Sequence, residues 1–168
     1  MYGPNSRSIH TAVIGLGSNI QPEVHLLQAA QRLSEHVEIC EVSQIYQNPA
    51  QGSDGPDYLN AALLIRTALS KLELKEKILC RIEEDLDRQR SKDKNADRTI
   101  DLDILCFDGL CLDEELWSRA HVSVPAAEVA PHLQNPSNGE KIQEAAHRLL
   151  PDQGFFPRDD LHLPVSSD

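Results

Sequence analysis

Four stretches of the chain have the apolar pattern of β-strands, and two longer stretches have the pattern of helices. A half-buried strand alternates apolar and polar residues, because successive side chains point to opposite faces, and a short apolar run indicates a buried strand. The predicted strands are 10–17, 37–46, 58–67 and 100–105. One predicted helix follows Pro22, a favoured first-turn residue, and the other spans 72–86. The predicted order is therefore β, α, β, β, α, β.

Shorter elements are expected after the fourth strand. Phe107–Leu110 predicts a turn into a short strand over Leu110–Leu112. Pro125–Val129 predicts a helical turn, and a further helix is expected over Glu140–Leu150. The residues from Pro151 onward are rich in proline, which predicts a tail without regular structure.

This order predicts an α+β fold of the ferredoxin-like βαββαβ kind, in which helices cover one face of an antiparallel sheet. The other face would be open, and loops over it would hold a ligand. A single domain is expected over 1–168, with its core at about 10–150 and a loosely attached tail over 151–168. A chain of 168 residues is long enough to bury a core of that size.

Composition narrows the class of protein. Hydrophobic residues make up 40% of the chain, which is typical of a globular protein, and no apolar run approaches the length of a membrane span. Residues 1–10 are polar and contain no apolar stretch before a cleavage site, so secretion is not indicated. The four cysteines lie in or near apolar segments and form no Cys-x-x-Cys pair. We therefore expect a cytoplasmic protein with reduced cysteines in its core.

The distribution of charge suggests a small anionic ligand. The net charge of −11 argues against a general nucleic-acid binder. The segment 88–98 is different, since it holds five basic and two acidic residues. A locally basic loop on an acidic protein indicates a polyanionic small molecule, with a merely solvated loop as the alternative.

Two aspartates on the fourth strand are the most informative residues. Alternation places Asp101 and Asp103 on one face, with Ile100, Leu102 and Ile104 on the other. Neighbouring carboxylates repel each other, so their adjacency needs a reason. Oxygen ligands at this spacing suit Mg²⁺, and Mg²⁺ suits phosphate chemistry. Arg98 precedes them closely enough to bind the same phosphates.

Three motifs in order carry a family resemblance: Gly15–Asn19 closes the first strand, Pro56–Ala62 opens the third, and Asp97–Ile104 covers the fourth. Together they resemble the 6-hydroxymethyl-7,8-dihydropterin pyrophosphokinase family of folate biosynthesis over roughly 10–150. The resemblance implies a ferredoxin-like fold. It also implies transfer of the pyrophosphoryl group of ATP to the hydroxymethyl group of a reduced pterin, with release of AMP.

The resemblance also implies roles for particular residues. Asp101 and Asp103 would hold two Mg²⁺ ions, and with Arg98 and Arg88 they would form the catalytic set. The residues implied on the ATP side are Glu83, Arg88, Arg90, Arg98, Ile104 and Arg119. The residues implied on the pterin side are Ser18, Asn19, Asn48, Pro49, Tyr58, Asn60 and His121.

The chain departs from the family pattern at four places, one of which is His121–Val124, where the family has an apolar run. Asn95 stands where the family has an aromatic residue in its closing loop, and His121 replaces an aromatic residue that stacks on the pterin. The segment 113–119 is shorter than in the family and lacks a Pro-His stretch with an ATP-contacting histidine. These departures leave the metal pair intact but reduce pterin stacking.

Other functions remain open alternatives at this point. One is a catalytically degenerate regulatory module that binds ATP or pterin, and another is a pyrophosphokinase for an altered pterin. A third is an interaction protein that keeps only the fold. RNA binding on an open sheet would need exposed aromatic residues on the face that the aspartates occupy. The expected partners are small molecules, with no nucleic acid and no membrane, and the pattern indicates no particular oligomeric state.

Overall fold

The computed structural model describes residues 7–151 and 154–165, which form an antiparallel sheet between two layers of helices. The strands are β1 (His10–Ser18), β2 (Glu38–Val42), β3 (Tyr46–Asn48), β4 (Tyr58–Thr67), β5 (Asp101–Phe107) and β6 (Phe156–Pro157). They run in the order β5-β1-β4-β3-β6, and β2 also pairs with β4. Because β1 lies between β4 and β5, it brings the first, third and fourth predicted strands together.

The helix predicted over 72–86 is confirmed as one continuous helical segment. It begins at Ser70, whose hydroxyl accepts from the Glu73 amide while the Glu73 side chain accepts from the Ser70 amide. Its middle, Leu74–Leu79, is wound as a π-helix. The helices are α1 (Pro22–Ser34), α2 (Lys71–Glu73), α3 (Cys80–Asp85), α4 (Glu115–Ser118), α5 (Ala120–Val129) and α6 (Ile142–Leu149).

The first core lies between one face of the sheet and the helices α1 and α3 with the π-helical turn. Ile14 and Leu63 of the sheet are fully buried there, as are Leu26 of α1 and Leu74 of the π-helical turn. This layer and the antiparallel sheet confirm the predicted α+β, ferredoxin-like class.

The expectation of helices on one face only is wrong, because α4, α5 and α6 cover half of the second face. Val13 and Ala62 of the sheet pack there with Ala126, Val129 and Ile142. The segment 113–124 has no clear apolar period, and Pro125 interrupts α5, so the sequence predicts only a turn where a ten-residue helix forms. The part of this face that the helices leave uncovered is the place for a ligand.

Residues 154–165 are docked, which corrects the expected loose tail for the part of it that the structure describes. The strand β6 pairs with β3, so Phe156 lies opposite Gln47. Further along, the Arg158 amide donates to the Ile45 carbonyl, and Leu163 is buried in the first core.

Cys106 and Cys111 form a disulfide, so the expectation of four reduced cysteines is wrong for this pair. Cys40 and Cys80 are free, as expected. The predicted strand over Leu110–Leu112 is reduced to a single bridge between Leu110 and Phe107. Among the residues that the structure describes, no helix has the length and apolar character needed to cross a membrane.

Candidate active site

The uncovered end of the second face is built from three adjacent strands. Gly17 on β1 lies opposite Asn60 on β4 and Asp101 on β5, and Gly15 lies opposite Asp103. The two glycines leave the floor between these polar groups free of side chains. A Cβ atom at Gly17 would stand 2.9 Å from Asn60 Oδ1, so any larger residue would crowd that amide.

Two adjoining clefts open above this floor. One has a volume of about 200 Å³ and the other of about 350 Å³, and Arg98, Asp101 and Asp103 border both. The aspartates therefore lie where the two clefts meet. The predicted site residues that line one or both clefts are Asn48, Pro49, Tyr58, Asn60, Arg88, Arg98, Asp101, Asp103, Arg119 and His121.

Two arginines neutralise Asp101. Arg98 Nη1 lies 2.8 Å from Asp101 Oδ2, and Arg88 Nη1 lies 2.7 Å from Asp101 Oδ1. Arg88 also donates to Glu83, whose side chain is only 5% exposed. Burial raises the pKa of Glu83, while the Arg88 guanidinium acts in the opposite direction. Glu83 thus lies off the surface of both clefts and acts on them through Arg88.

Asp103 has no ion-pair partner among the described residues. Its side chain is exposed at the border of both clefts. Desolvation and then repulsion from Asp101, Asp113 and Glu83 raise the pKa of Asp103 to about 7. A cation bound at this carboxylate would relieve both effects.

Asp101 and Asp103 suit a Mg²⁺ ion that a substrate phosphate also binds. Within 7–151 and 154–165, no group of three or more His, Cys, Asp or Glu side chains is arranged to hold a metal by itself. Mg²⁺ is usually bound by one or two carboxylates together with substrate phosphates and water, rather than by an all-protein cage. The unpaired carboxylate of Asp103 beside Asp101 therefore suits an ion that arrives with a phosphate ligand.

The smaller cleft has a polar wall and two flanking rings. The Asn60 side-chain amide donates to Asn48 Oδ1, which fixes the direction of both amides. Tyr58 and His121 also line this cleft. Burial, and next the charge of Arg119, lower the pKa of His121 to about 4, so its imidazole is neutral near pH 7. A neutral ring offers one donor and one acceptor to a ligand.

Asn19 lies beneath the site rather than on its surface. Its side chain is buried, and its Oδ1 accepts from the Arg98 amide at 2.8 Å. Its Nδ2 donates to Asp97 at 2.9 Å and to the Pro56 carbonyl at 3.3 Å. Asn19 therefore joins the two loops that flank the clefts, 49–57 and 86–100, and holds the backbone of Arg98 in place.

Three further predicted residues are not brought to the cleft surfaces. Ser18 is fully buried, and its hydroxyl donates to the Ile20 carbonyl. Ile104 packs against the first core, on the face opposite the aspartates, as the alternation of β5 requires. Arg90 is exposed and lies near Glu83, outside both clefts.

Sequence reasoning missed several residues that line the clefts: Gln51, Lys94, Leu105, Asp113 and Glu115. The position of Leu105 at the cleft could have been predicted, since it shares a strand face with Asp103. Gln51 accepts from Arg119 Nη1 at 2.6 Å, a contact between segments that are far apart in sequence. Asp113 and Glu115 line the cleft at the start of α4.

Comparison with known proteins shows the family of the chain. A family model described as 7,8-dihydro-6-hydroxymethylpterin-pyrophosphokinase (HPPK) matches residues 13–131. The chain belongs to the HPPK family. It is 35% identical over 144 residues to the 2-amino-4-hydroxy-6-hydroxymethyldihydropteridine pyrophosphokinase of Synechocystis sp., covering 79% of this chain and 73% of that protein. The Haemophilus influenzae enzyme of the same name is 34% identical, over 83% of this chain and 96% of that protein.

Solved structures of HPPK-DHPS from Plasmodium falciparum share the fold. One, a wild-type protein, superposes with a TM-score of 0.64 at 12% sequence identity, over 86% of this chain. Another, carrying A437G, gives a TM-score of 0.67 at the same identity. This chain spans less than half the length of those proteins, 45% and 44% respectively. At this identity the likeness concerns the fold.

Proposed function

We propose that this HPPK-family chain transfers the pyrophosphoryl group of ATP to the hydroxymethyl group of 6-hydroxymethyl-7,8-dihydropterin and releases AMP, a step of folate biosynthesis. The observation that carries the proposal is the position of Asp101 and Asp103 where the two clefts meet. Two substrates that react with each other must present their reacting atoms at such a junction. We also propose that the chain acts as one domain, since both cores share one sheet.

On the nucleotide side, the larger cleft suits a triphosphate. Asp101 and Asp103 would hold two Mg²⁺ ions, which neutralise the charge of the phosphates and orient them when bound. Arg98 and Arg88, held in place by Asp101, line this cleft and place positive charge beside the phosphates. Lys94, at the border of both clefts, adds positive charge. Phosphoryl-transfer catalysis depends chiefly on such positioning and charge stabilisation.

On the acceptor side, the smaller cleft suits a flat, polar ring. The amides of Asn48 and Asn60 offer donors and acceptors at the edge of the ring, and their mutual bond fixes which atoms face it. Tyr58 and the neutral His121 provide ring surfaces for stacking. The bare floor at Gly17 lets the ring lie close to the backbone.

The proposal is tested by assaying AMP release from ATP, Mg²⁺ and 6-hydroxymethyl-7,8-dihydropterin. We expect the wild type to release AMP only when all three are present. Asp101→Asn and Asp103→Asn should lower kcat/KM by about 100-fold or more, because each removes a charge that binds the metal. Asp108→Asn is the matched control: Asp108 follows the other end of β5 and pairs with His10, far from both clefts.

The outcomes separate the alternatives. Near wild-type turnover in Asp103→Asn would remove the metal role of this pair. A wild-type protein that binds ATP with Mg²⁺ but releases no AMP would favour the degenerate regulatory module. Turnover with another reduced pterin, but not with the hydroxymethyl compound, would favour an altered acceptor.

A further inference from the structure

The C-terminal segment 154–158 lies against the edge of the smaller cleft. Gly154 contacts Pro49, a residue of the cleft wall, since a Cβ atom at Gly154 would lie 3.4 Å from Pro49 Cγ. The Phe155 ring stacks on Tyr46 with centroids 5.0 Å apart. The strand β6 then pairs with β3 at Tyr46 and Gln47. The segment therefore borders the strand that carries Asn48.

The strand β3 needs such support. It has three residues and pairs with β4 on one side, so without β6 its other side would be a free edge. Its last residue, Asn48, holds the amide of Asn60 in the cleft. A small shift of β3 would therefore change the direction of both amides.

Arg158 makes the polar contacts that fix this arrangement. Its backbone amide donates to the Ile45 carbonyl at 2.7 Å, and its Nη1 donates to Gln47 Oε1 at 3.0 Å. The guanidinium is itself held by both carboxylate oxygens of Asp160, each at 2.8 Å, and lies 3.4 Å from Glu23 of α1. Arg158 thus connects α1 and the C-terminal segment to β3.

Gln47 links Arg158 to the start of β4 through hydrogen bonds. Its Nε2 donates to Asp57 Oδ2 at 2.9 Å, while its Oε1 accepts from Arg158. Asp57 directly precedes Tyr58 at the start of β4. Because side chains alternate along a strand, Gln47 points away from the face to which Asn48 points. The network therefore supports the cleft wall from behind and does not touch the cleft itself.

We infer that Arg158 is a positioning residue for the acceptor ring, acting through Gln47 on Asn48, Tyr58 and Asn60. This inference rests on the proposed function, because it assigns the smaller cleft to the pterin. Arg158 does not line either cleft, so its effect on binding is indirect. Its loss should weaken binding of the pterin and leave binding of the nucleotide unchanged.

The experiment compares Arg158→Met with the wild type by calorimetry and kinetics. Methionine keeps much of the length of the side chain but removes its donors. We expect the Kd and KM for the pterin to rise about tenfold, as the loss of one charge-assisted hydrogen bond allows. The Kd for a non-hydrolysable ATP analogue with Mg²⁺ should stay within about twofold. Arg158→Lys, which keeps one donor, should give an intermediate pterin Kd.

Arg66→Met is the matched control. Arg66 also pairs with a carboxylate, that of Glu38 at 3.3 Å, but on the part of β4 away from the clefts. We expect this variant to bind both ligands as the wild type does. A double-mutant cycle with Gln47→Ala tests the connection, because both substitutions break the bond between Arg158 and Gln47. Gln47→Ala also removes the bond to Asp57, so the double variant should lose no more pterin affinity than Gln47→Ala alone.

Each outcome bears on the inference. Wild-type pterin affinity in folded Arg158→Met overturns it, as does an equal loss of pterin and nucleotide affinity, which indicates general destabilisation. Fully additive losses in the cycle overturn the route through Gln47. A wild type that neither binds the pterin nor releases AMP overturns the proposed function itself, whereas an active wild type with an indifferent Arg158→Met overturns only the role of Arg158.

Discussion

At the scale of single residues, two neighbouring carboxylates differ in their ion pairing. Asp101 is paired with Arg88 and Arg98, while Asp103, two residues along the same strand, has no such pair among the described residues. Repulsion from Asp101 contributes to the raised pKa of Asp103. The arginines therefore fix the orientation of Asp101, whereas Asp103 is left unpaired beside it and available to a cation.

His121 gives a prediction at the same scale. His121→Phe should lower the Kd for the pterin by about tenfold, because a phenyl ring stacks with more area than an imidazole. Calorimetry at pH 7 measures this change. His132→Phe is the control, since His132 is exposed and lies outside both clefts. An unchanged Kd in His121→Phe would show that residue 121 does not stack on the ligand.

The same substitution has a consequence for stability. The pKa of His121 is lowered to about 4 in the folded chain, against an ordinary value near 6.5. The unfolded chain therefore takes up a proton between those values while the folded chain does not, so the fold loses stability as the pH falls from 6.5 to 4. His121→Phe should remove up to about 3 kcal/mol of that loss. Urea denaturation at pH 7 and pH 4.5 measures the difference.

Sequence patterns predict single residues well where a strand determines their direction. The alternation of β5 correctly places Asp101 and Asp103 on one face and Ile104 on the other. The motif at the end of β1 is less informative, because Ser18 ends the strand, Asn19 begins the turn after it, and both side chains are buried. For such residues, a family resemblance indicates that the residue matters but does not show which atoms its side chain contacts.

At the scale of elements, the turn between β1 and α1 organises the two loops around the clefts. Asn19→Ala should lower the free energy of unfolding by about 1–3 kcal/mol, because it leaves the part-buried Arg98 amide without its acceptor. It should also raise the KM for ATP, since Arg98 would lose its fixed backbone. Urea denaturation and AMP-release kinetics measure the two effects.

A matched asparagine is available as a control for this change. Asn138 Oδ1 accepts from the Glu140 amide in an exposed turn that is remote from the clefts. Asn138→Ala should therefore change the stability by less than about 1 kcal/mol and leave the KM for ATP unaltered. If Asn19→Ala gave the same small effects, the role of Asn19 in connecting the loops would be excluded.

Elements are predicted least well where tertiary contacts override the local pattern. The strand expected over 37–46 divides into β2 and β3 at Ser43. The Ser43 amide still donates to the Ala62 carbonyl, but the Ala62 amide donates to the Ser43 hydroxyl instead of to a backbone carbonyl. The sequence does not predict the full helix α5, because Pro125 and buried Ser123 interrupt its apolar surface. Glu128 then ties α5 to the sheet by accepting from Tyr46 and from the Gln44 amide.

At the scale of the whole molecule, the second helical layer determines where chemistry is possible. The helices α4, α5 and α6 cover one half of the second face, and the bare glycines and the aspartates occupy the other half. The C-terminal segment completes the edge of the same cleft through β6. A sheet with one helical layer would leave this whole face exposed, so the added helices convert an open face into a bounded site.

The disulfide between Cys106 and Cys111 follows from the hairpin turn at the end of β5. Asp108 and Gly109 both have positive φ, at 49° and 80°, which makes a tight hairpin turn between Phe107 and Leu110. Those two residues exchange backbone hydrogen bonds, so the next pair outward, Cys106 and Cys111, is a closely spaced non-hydrogen-bonded pair. Their Cα atoms lie 4.2 Å apart, as this position in a hairpin requires.

Thiol titration in denaturant, without reductant, should therefore count two thiols per chain, those of Cys40 and Cys80. After reduction the same titration should count all four cysteines. Cys106→Ser is the control, because it frees Cys111 and should give three thiols without reductant. Four thiols in the unreduced wild type would contradict the disulfide, and the hairpin would then hold Cys106 and Cys111 by packing of their buried side chains alone.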